Sequence, residues 1–165
     1  MLSPWKGHHM KVRWCIQSDL DYVVAIERRS HEYPLEYDDF WSCLKRDDHV
    51  GLVVENDRKI VGFLLYQIKK DHYRVVSMAV DPDRRREGAG SSLLSYLKRT
   101  AKGRMRMVVS DTKVEVHCFL KANGLLATKV LHEHFGPQHD GYEFVYDRKI
   151  VTTKRKKSKN NVAEG

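Results

Sequence analysis

Short apolar runs alternating with polar positions predict β-strands, and apolar residues spaced by three and four predict helices. After Ser18, a favourable helix N-cap, the apolar residues Leu20, Val23, Val24 and Ile26 follow the helical spacing. The pattern over the chain predicts the order β-α-α-β-β-β-α-β-α-β-β. The predicted strands are 10–17, 50–55, 59–68, 73–80, 104–109, 127–135 and 142–150, and the predicted helices are 18–31, 37–46, 90–101 and 112–123.

This order indicates an α/β (α+β) fold, a mixed central sheet of about seven strands with helices on both faces. The chain has 165 residues, of which 41% are hydrophobic and 32% charged, a balance that suits a single domain with its own core. We expect a flexible N-terminus over residues 1–9, a folded domain over 10–150 and a basic, disordered tail over 151–165.

The apolar and cysteine patterns disfavour a membrane-spanning or secreted protein and a protein stabilised by disulfides or a thiolate zinc site. The chain has no apolar run near the ~20 residues of a membrane span, and its first ten residues lack the apolar core of a signal peptide. Cys15, Cys43 and Cys118 are scattered and form no CxxC pair, which argues against a disulfide framework or a thiolate zinc site. We therefore expect a cytoplasmic protein with reduced thiols, no metal and no membrane contact.

The positive charge of the chain is unevenly distributed. Lys and Arg total 30 against 22 acidic residues, a net charge of +8, and residues 154–165 hold five cations against one acid. This tail is either a solvated segment or a weak contact with RNA, ribosomes or another anionic surface. The rest of the chain carries only +4 and no aromatic-basic platform, which disfavours nucleic-acid binding as the main activity.

A glycine-containing turn connects the strand 73–80 to a leucine-rich helix. Gly88 and Gly90 let the backbone approach a ligand, the start of the helix favours an anion, and three arginines at positions 84–86 add positive charge. A Walker A loop is excluded because no lysine follows Gly90. A dinucleotide fingerprint is also excluded, because the single GxG follows the fourth predicted strand and not the first.

The segment Arg85-Arg86-Glu87-Gly88-Ala89-Gly90 carries the RxxGxG pattern, with a Val-Asp-Pro sequence before it and a Leu-Leu helix after it. In this combination it resembles the GNAT superfamily of acetyltransferases. The stretch 26–31, followed by Tyr33-Pro34 and by residues 60–63, is similar to the branch that acetylates protein N-termini, including ribosomal-protein alanine N-acetyltransferases.

The resemblance implies an acetyl-CoA-dependent N-acetyltransferase that modifies a primary amine, most favourably a protein or peptide N-terminus, by direct transfer. A small-amine acetyltransferase and a CoA-binding or RNA-associated module with lost or weak catalysis stay open, as does the choice between monomer and homodimer. Acetyl-CoA is expected between the fourth and fifth strands. The implied cofactor-binding residues are Met78, Ala79, Val80, Arg85, Arg86, Glu87, Gly88, Ala89, Gly90 and Ser91, and the implied substrate-binding residues are Glu27, His31 and Tyr33.

The chain departs from the resembled branch at the positions of the acid and the base. The usual acid, a tyrosine four residues before Gly124, is replaced by Leu120, and the usual base position holds Val108. Tyr73, at the start of the fourth strand, and His134 are the replacement candidates. On the predicted strand 127–135, His134 and His132 would point to the same side. A further histidine, His117, lies one turn before Leu120.

Overall fold

The computed structural model describes residues 9–100 and 103–163, with side chains described up to Lys159. Its strands are β1 (Met10–Trp14), β2 (His49–Asn56), β3 (Lys59–Ile68), β4 (Tyr73–Val80), β5 (Arg104–Ser110), β6 (Leu126–Leu131) and β7 (Gly141–Asp147). Its helices are α1 (Leu20–Ser30), α2 (Tyr37–Leu44), α3 (Ala89–Thr100), α4 (Val114–Ala122) and α5 (Arg148–Ala163). The strands form one mixed sheet in the order β1-β2-β3-β4-β5-β7-β6, which confirms the expected fold class.

The chain contains two compact units, and unit 1 comprises the described residues up to Lys69 together with Val75–Leu97. β2 pairs antiparallel with β1 on one side and with β3 on the other. The apolar stripe of α1, including Val23 and Ile26, packs on the inward-facing residues of this sheet. Phe40 of α2 meets Phe63 of β3 edge to face at 5.4 Å. The apolar residues at helical spacing and those at strand spacing therefore pack together in one hydrophobic core.

Unit 2 comprises Lys70–Arg74 and the described residues from Lys98 onward. β5 pairs antiparallel with β7, which also pairs with β6. The end of α4 confirms the expected Asn123-Gly124 stop: Gly124 is left-handed, and the N–H of Leu125 donates to Leu120 O at 3.0 Å. Leu120 and Leu125, the apolar residues on either side of this helix end, are both fully buried.

The strand expected over 127–135 was wrong beyond residue 131, because β6 ends at Leu131 and His132 and His134 lie in a turn. Asp140 holds this turn by accepting a hydrogen bond from the backbone N–H of Glu133 at 2.9 Å. Glu133 has a left-handed backbone with φ of 50°, which interrupts the alternation of a strand. The expectation that His132 and His134 alternate on a strand therefore fails.

Two expectations for the C-terminal segment were also wrong. The strand expected over 142–150 ends at Asp147, and the helix α5 follows it. This helix continues as far as Ala163, through the segment 151–165 that was expected to be a disordered tail. Asp147 ends β7 and begins α5, because its carboxylate accepts the backbone N–H of Lys149 at 2.9 Å. The segment can bury little apolar surface, but Lys and Arg are good local helix formers and no Gly or Pro interrupts the helix. Residues 164 and 165 lie outside the described residues.

We predict that an ion pair in unit 1 makes stability depend on pH below about 4. Asp19 accepts two hydrogen bonds from the Arg13 guanidinium, at 2.7 and 3.0 Å, and one from Ile16 N–H. Burial acts to raise the pKa of Asp19, but these hydrogen bonds outweigh it and lower the pKa. A lowered pKa stabilises the fold above the unfolded-state value near 3.9, and the contribution is lost as the pH falls through the folded-state value.

Asp19→Asn should lower the free energy of unfolding by roughly 2 kcal/mol at pH 7 and flatten its decline as the pH falls below about 4. Urea unfolding at a series of pH values measures both effects. The control is Asp47→Asn, because Asp47 is exposed in a turn. A pH dependence that is identical in wild type and Asp19→Asn would contradict the assignment.

Candidate functional site

The turn between β4 and α3 has a backbone suited to an anion. Arg86 and Gly88 are left-handed, with φ of 64° and 93°, just before α3 begins at Ala89. A Cβ built on Gly88 would meet no atom within 4 Å, so open space adjoins the backbone there. The N–H groups in the first turn of a helix have no acceptor within the helix and carry partial positive charge. The turn can therefore direct backbone donors toward a phosphate group.

Side chains within unit 1 hold this turn in place. The Glu87 carboxylate accepts hydrogen bonds from Asn56 Nδ2 at 3.2 Å and from Arg84 Nε at 3.1 Å. Asn56 is buried at the end of β2, so the turn is tied to the sheet. The Glu87 side chain is thus a structural anchor, and any contact with an anion would come from its backbone. Arg85 and Arg86 are exposed, and Arg85 Nε donates to Val80 O at 3.4 Å.

A buried glutamate and a histidine connect α1 with β4. Glu27 is only 2% exposed, and its carboxylate accepts hydrogen bonds from Ser77 Oγ at 2.8 Å and from Leu35 N–H at 3.0 Å. His31 Nε2 lies 3.4 Å from Glu27 Oε2 and 3.2 Å from Met78 O. Because both neighbours of Nε2 are acceptors, Nε2 carries the hydrogen and the ring lone pair is on Nδ1.

The remaining sequence-predicted residues of unit 1 lie on or near these elements. Met78 and Ala79 are buried in β4, and Val80 is half-buried where the strand ends. Tyr33 is 87% exposed in the connection between α1 and α2. Glu27 is bonded to this connection, because its carboxylate accepts a hydrogen bond from the backbone N–H of Leu35. The side chain of His31 is 35% exposed. The predicted cofactor-binding and substrate-binding residues thus belong to one compact unit.

The two proposed catalytic residues, Tyr73 and His134, belong to unit 2. Tyr73 is half-buried at the first residue of β4, and its hydroxyl donates to Thr100 O at 3.3 Å. β4 pairs in parallel with β5 at this point, Tyr73 with Met105 and Arg74 with Arg106. His134 is exposed in the turn after β6, where its ring contacts Phe135 at 4.8 Å.

A family model described as the acetyltransferase (GNAT) family matches residues 17–125, more than half of the chain. The chain belongs to the GNAT family of acetyltransferases. The ribosomal protein bS18-alanine N-acetyltransferase of Escherichia coli (strain K12) is 30% identical over 80 residues, which are 48% of this chain and 53% of that protein. The chain thus spans about half the length of the curated relatives it matches.

Solved structures confirm the GNAT fold. The ribosomal-protein-S18-alanine N-acetyltransferase from Escherichia coli superposes with a TM-score of 0.74 at 18% identity, covering 84% of this chain and 93% of that one. The Arabidopsis thaliana protein NAA60, solved in complex with a bisubstrate analogue, gives a TM-score of 0.73 at 18% identity and covers 84% and 97% of the two chains. Members of this family use acetyl-CoA as the co-substrate.

In this GNAT protein, Leu120 and Val108, the apolar residues at the expected acid and base positions, lie in different environments. Leu120 is fully buried at the end of α4. Val108 is half-buried on β5, directly opposite Glu143 of β7. Directly opposed residues share a face of the sheet, so an acidic side chain stands beside the apolar position. Glu143 also pairs with Arg106 at 3.6 Å. Sequence reasoning missed Glu143, because only the strand register relates it to Val108.

His117 is occupied by structural contacts. Its Nε2 lies 2.8 Å from Ser110 O, so this nitrogen donates, and its ring packs at 5.2 Å from Tyr142 and 5.0 Å from Phe144. These aromatic neighbours hold the ring of His117 between α4 and β7. The contacts come from strand register, which the sequence alone did not reveal.

The described residues contain no group of three His, Cys, Asp or Glu side chains placed to hold a metal ion. Within residues 9–100 and 103–163, no helix combines the length and apolar character needed to cross a membrane.

Proposed function

We propose that this GNAT protein binds acetyl-CoA and transfers the acetyl group to a primary amine, with a protein or peptide N-terminus as the favoured acceptor. The observation that carries the proposal is the turn before α3, with left-handed Arg86 and Gly88 and open space beside Gly88. The match to ribosomal protein bS18-alanine N-acetyltransferase supports an N-terminal amine as the acceptor.

The pyrophosphate of acetyl-CoA is proposed to bind at this turn. Backbone N–H groups from Arg86 to Ser91, including those of Glu87, Ala89 and Gly90, supply the donors, and Arg85 and Arg86 supply positive charge. The pantetheine arm contains amide groups and is proposed to pair with the backbone of Met78, Ala79 and Val80 in the manner of a short strand.

The reaction is a direct transfer. The lone pair of the neutral amine attacks the thioester carbonyl carbon, the C–N bond forms and the C–S bond breaks. The amine nitrogen loses a proton, and the departing thiolate of CoA gains one. Catalysis therefore requires a proton acceptor near the amine and a proton donor near the sulfur. Such acid–base catalysis typically raises the rate by about 10²–10⁴-fold.

His31 is the proposed proton acceptor. Its Nε2–H is directed toward Met78 O and the Glu27 carboxylate, which leaves the Nδ1 lone pair to take the amine proton. Glu27 acts as a positioning residue, because its buried carboxylate orients the imidazole. Exposed Tyr33, on the neighbouring connection, is proposed to contact the acceptor peptide.

With Leu120 and Val108 apolar, the proton donor to the thiolate is proposed to be a residue at another position. Tyr73 and His134 are the candidates. Tyr73→Phe and His134→Gln each remove one candidate donor group with little change of shape. The variant that lowers kcat without changing acetyl-CoA affinity identifies the donor.

The function is tested by calorimetric titration with acetyl-CoA, followed by a thiol-release assay. The acceptors are peptides with a free N-terminal Ala, Ser or Met, the same peptides with an acetylated N-terminus, and spermidine. Release from free but not blocked peptides supports the proposal. Faster release with spermidine favours the small-amine alternative. Binding without release from any amine indicates a CoA-binding module, and absence of binding rejects the proposal.

A further inference from the structure

The helix α5 begins on a firm anchor in unit 2. Asp147 caps it through Lys149 N–H, and the same carboxylate accepts Arg104 Nε at 2.7 Å. Arg148 adds a hydrogen bond to Lys98 O at 2.9 Å. The start of the helix is therefore held on the folded body, and the residues that follow extend from it with mostly exposed side chains.

The helix has an unusual charge density. Arg148–Ala163 contains seven cations and no acidic residue. These cations are all exposed: Arg148, Lys149, Lys154, Arg155, Lys156, Lys157 and Lys159. Among the described residues, none of the ion pairs involves a side chain from Lys154 to Lys159. Like charges one turn apart, such as Arg155 and Lys159, destabilise an isolated helix, so a polyanion would relieve this repulsion.

The arrangement of side chains around α5 distinguishes between anionic partners. Consecutive helical residues are about 100° apart, so the four cations from Lys154 to Lys157 point in all directions. Ile150 and Val151 do not continue into an apolar stripe among the described side chains. A helix that binds in a membrane interface needs such a stripe, whereas a phosphate backbone needs only closely spaced cations.

We propose that α5 binds the phosphate backbone of nucleic acid without regard to base sequence. The interaction is independent of acetyl transfer, since it uses none of the residues assigned to that reaction. Each cation that neutralises a phosphate releases a counterion, so the affinity falls steeply with salt. Five cations between Lys154 and Lys159 predict a slope of about −3 to −4 in log K against log salt for a single strand.

Fluorescence anisotropy with labelled 20-nucleotide single-stranded RNA, at a series of salt concentrations from 50 to 200 mM, tests the proposal on the full chain. The test variant changes Lys154, Arg155, Lys156, Lys157 and Lys159 to Gln. The matched control variant changes five exposed cations elsewhere to Gln: Lys11, Arg58, Lys59, Lys113 and Lys129. Circular dichroism and thermal unfolding confirm that both variants are folded.

Three results together support the proposal. Wild type binds the RNA with the stated salt slope, the α5 variant loses about 10²-fold or more in affinity at 50 mM salt, and the control variant retains its affinity. An equal loss in both variants, or no binding by wild type, overturns it. A DNA strand of the same sequence separates a general phosphate contact from one that uses the 2′-hydroxyl. Binding to phosphatidylserine vesicles but not to RNA would replace nucleic acid by a membrane surface.

Discussion

Replacing Gly88 with valine is expected to weaken acetyl-CoA binding by about 100-fold or more while the protein stays folded. A Cβ added at Gly88 would meet no protein atom within 4 Å, so the new side chain extends into open space. That same space is where the pyrophosphate is proposed to approach the backbone donors of the turn. A β-branched residue at φ of 93° also costs roughly 1–2 kcal/mol of backbone strain.

The chain provides a matched control for this strain. Gly136 is also left-handed, with φ of 110°, and a Cβ there would also meet nothing within 4 Å, but it lies in the turn between β6 and β7. Gly88→Val and Gly136→Val should lose similar stability on thermal unfolding. Only Gly88→Val should lose acetyl-CoA affinity in the calorimeter. Equal affinities in the two variants would show that the turn before α3 is not the cofactor site.

His31→Ala is expected to lower kcat by about 10²–10³-fold with little change in acetyl-CoA affinity. The reason is that the imidazole is proposed to act on the acceptor amine and not on the nucleotide part of the co-substrate. Steady-state kinetics with the best peptide acceptor measures kcat and KM, and calorimetry measures acetyl-CoA binding. His139→Ala, an exposed histidine outside unit 1, is the control and should retain kcat within about twofold.

Two further measurements separate proton transfer from a structural role of His31. Added imidazole should restore part of the activity of His31→Ala, because a free base can occupy the space of the lost ring. Glu27→Gln keeps the shape of the side chain but removes its charge, and should lower kcat by about 10-fold or more without abolishing folding. If His31→Ala keeps full kcat, the assignment of the base is wrong.

The local signals in the sequence were accurate where a single segment decides the structure. The helical spacing from Leu20 to Ile26 predicted α1, and Asn123-Gly124 predicted the end of α4. The turn from Arg85 to Gly90 predicted the family, because the left-handed backbone and the helix start are properties of a few consecutive residues. Such features depend on local backbone preferences, which amino-acid types report directly.

The errors arose where contacts distant in the sequence decide the outcome. The strand expected through residue 135 ends at Leu131 because Asp140, on the other side of the turn, holds Glu133 N–H. The expected disordered tail is helical as far as Ala163 because Asp147 caps α5 and is held by Arg104. Asp140 lies 7 positions from Glu133, and Arg104 lies 43 positions from Asp147, so periodicity alone could not identify these two contacts.

The sequence by itself determined the α/β order of elements, the GNAT family and the glycine-containing turn before α3, since these follow from periodicity and from glycine and arginine at fixed spacing. Only the tertiary structure decided that Glu27 is buried beneath its loop, that His31 reaches the backbone of Met78, and that Glu143 stands beside Val108. These relations join residues that are 8 to 47 positions apart. Their geometry is set by packing and strand register, which emerge only when the chain folds.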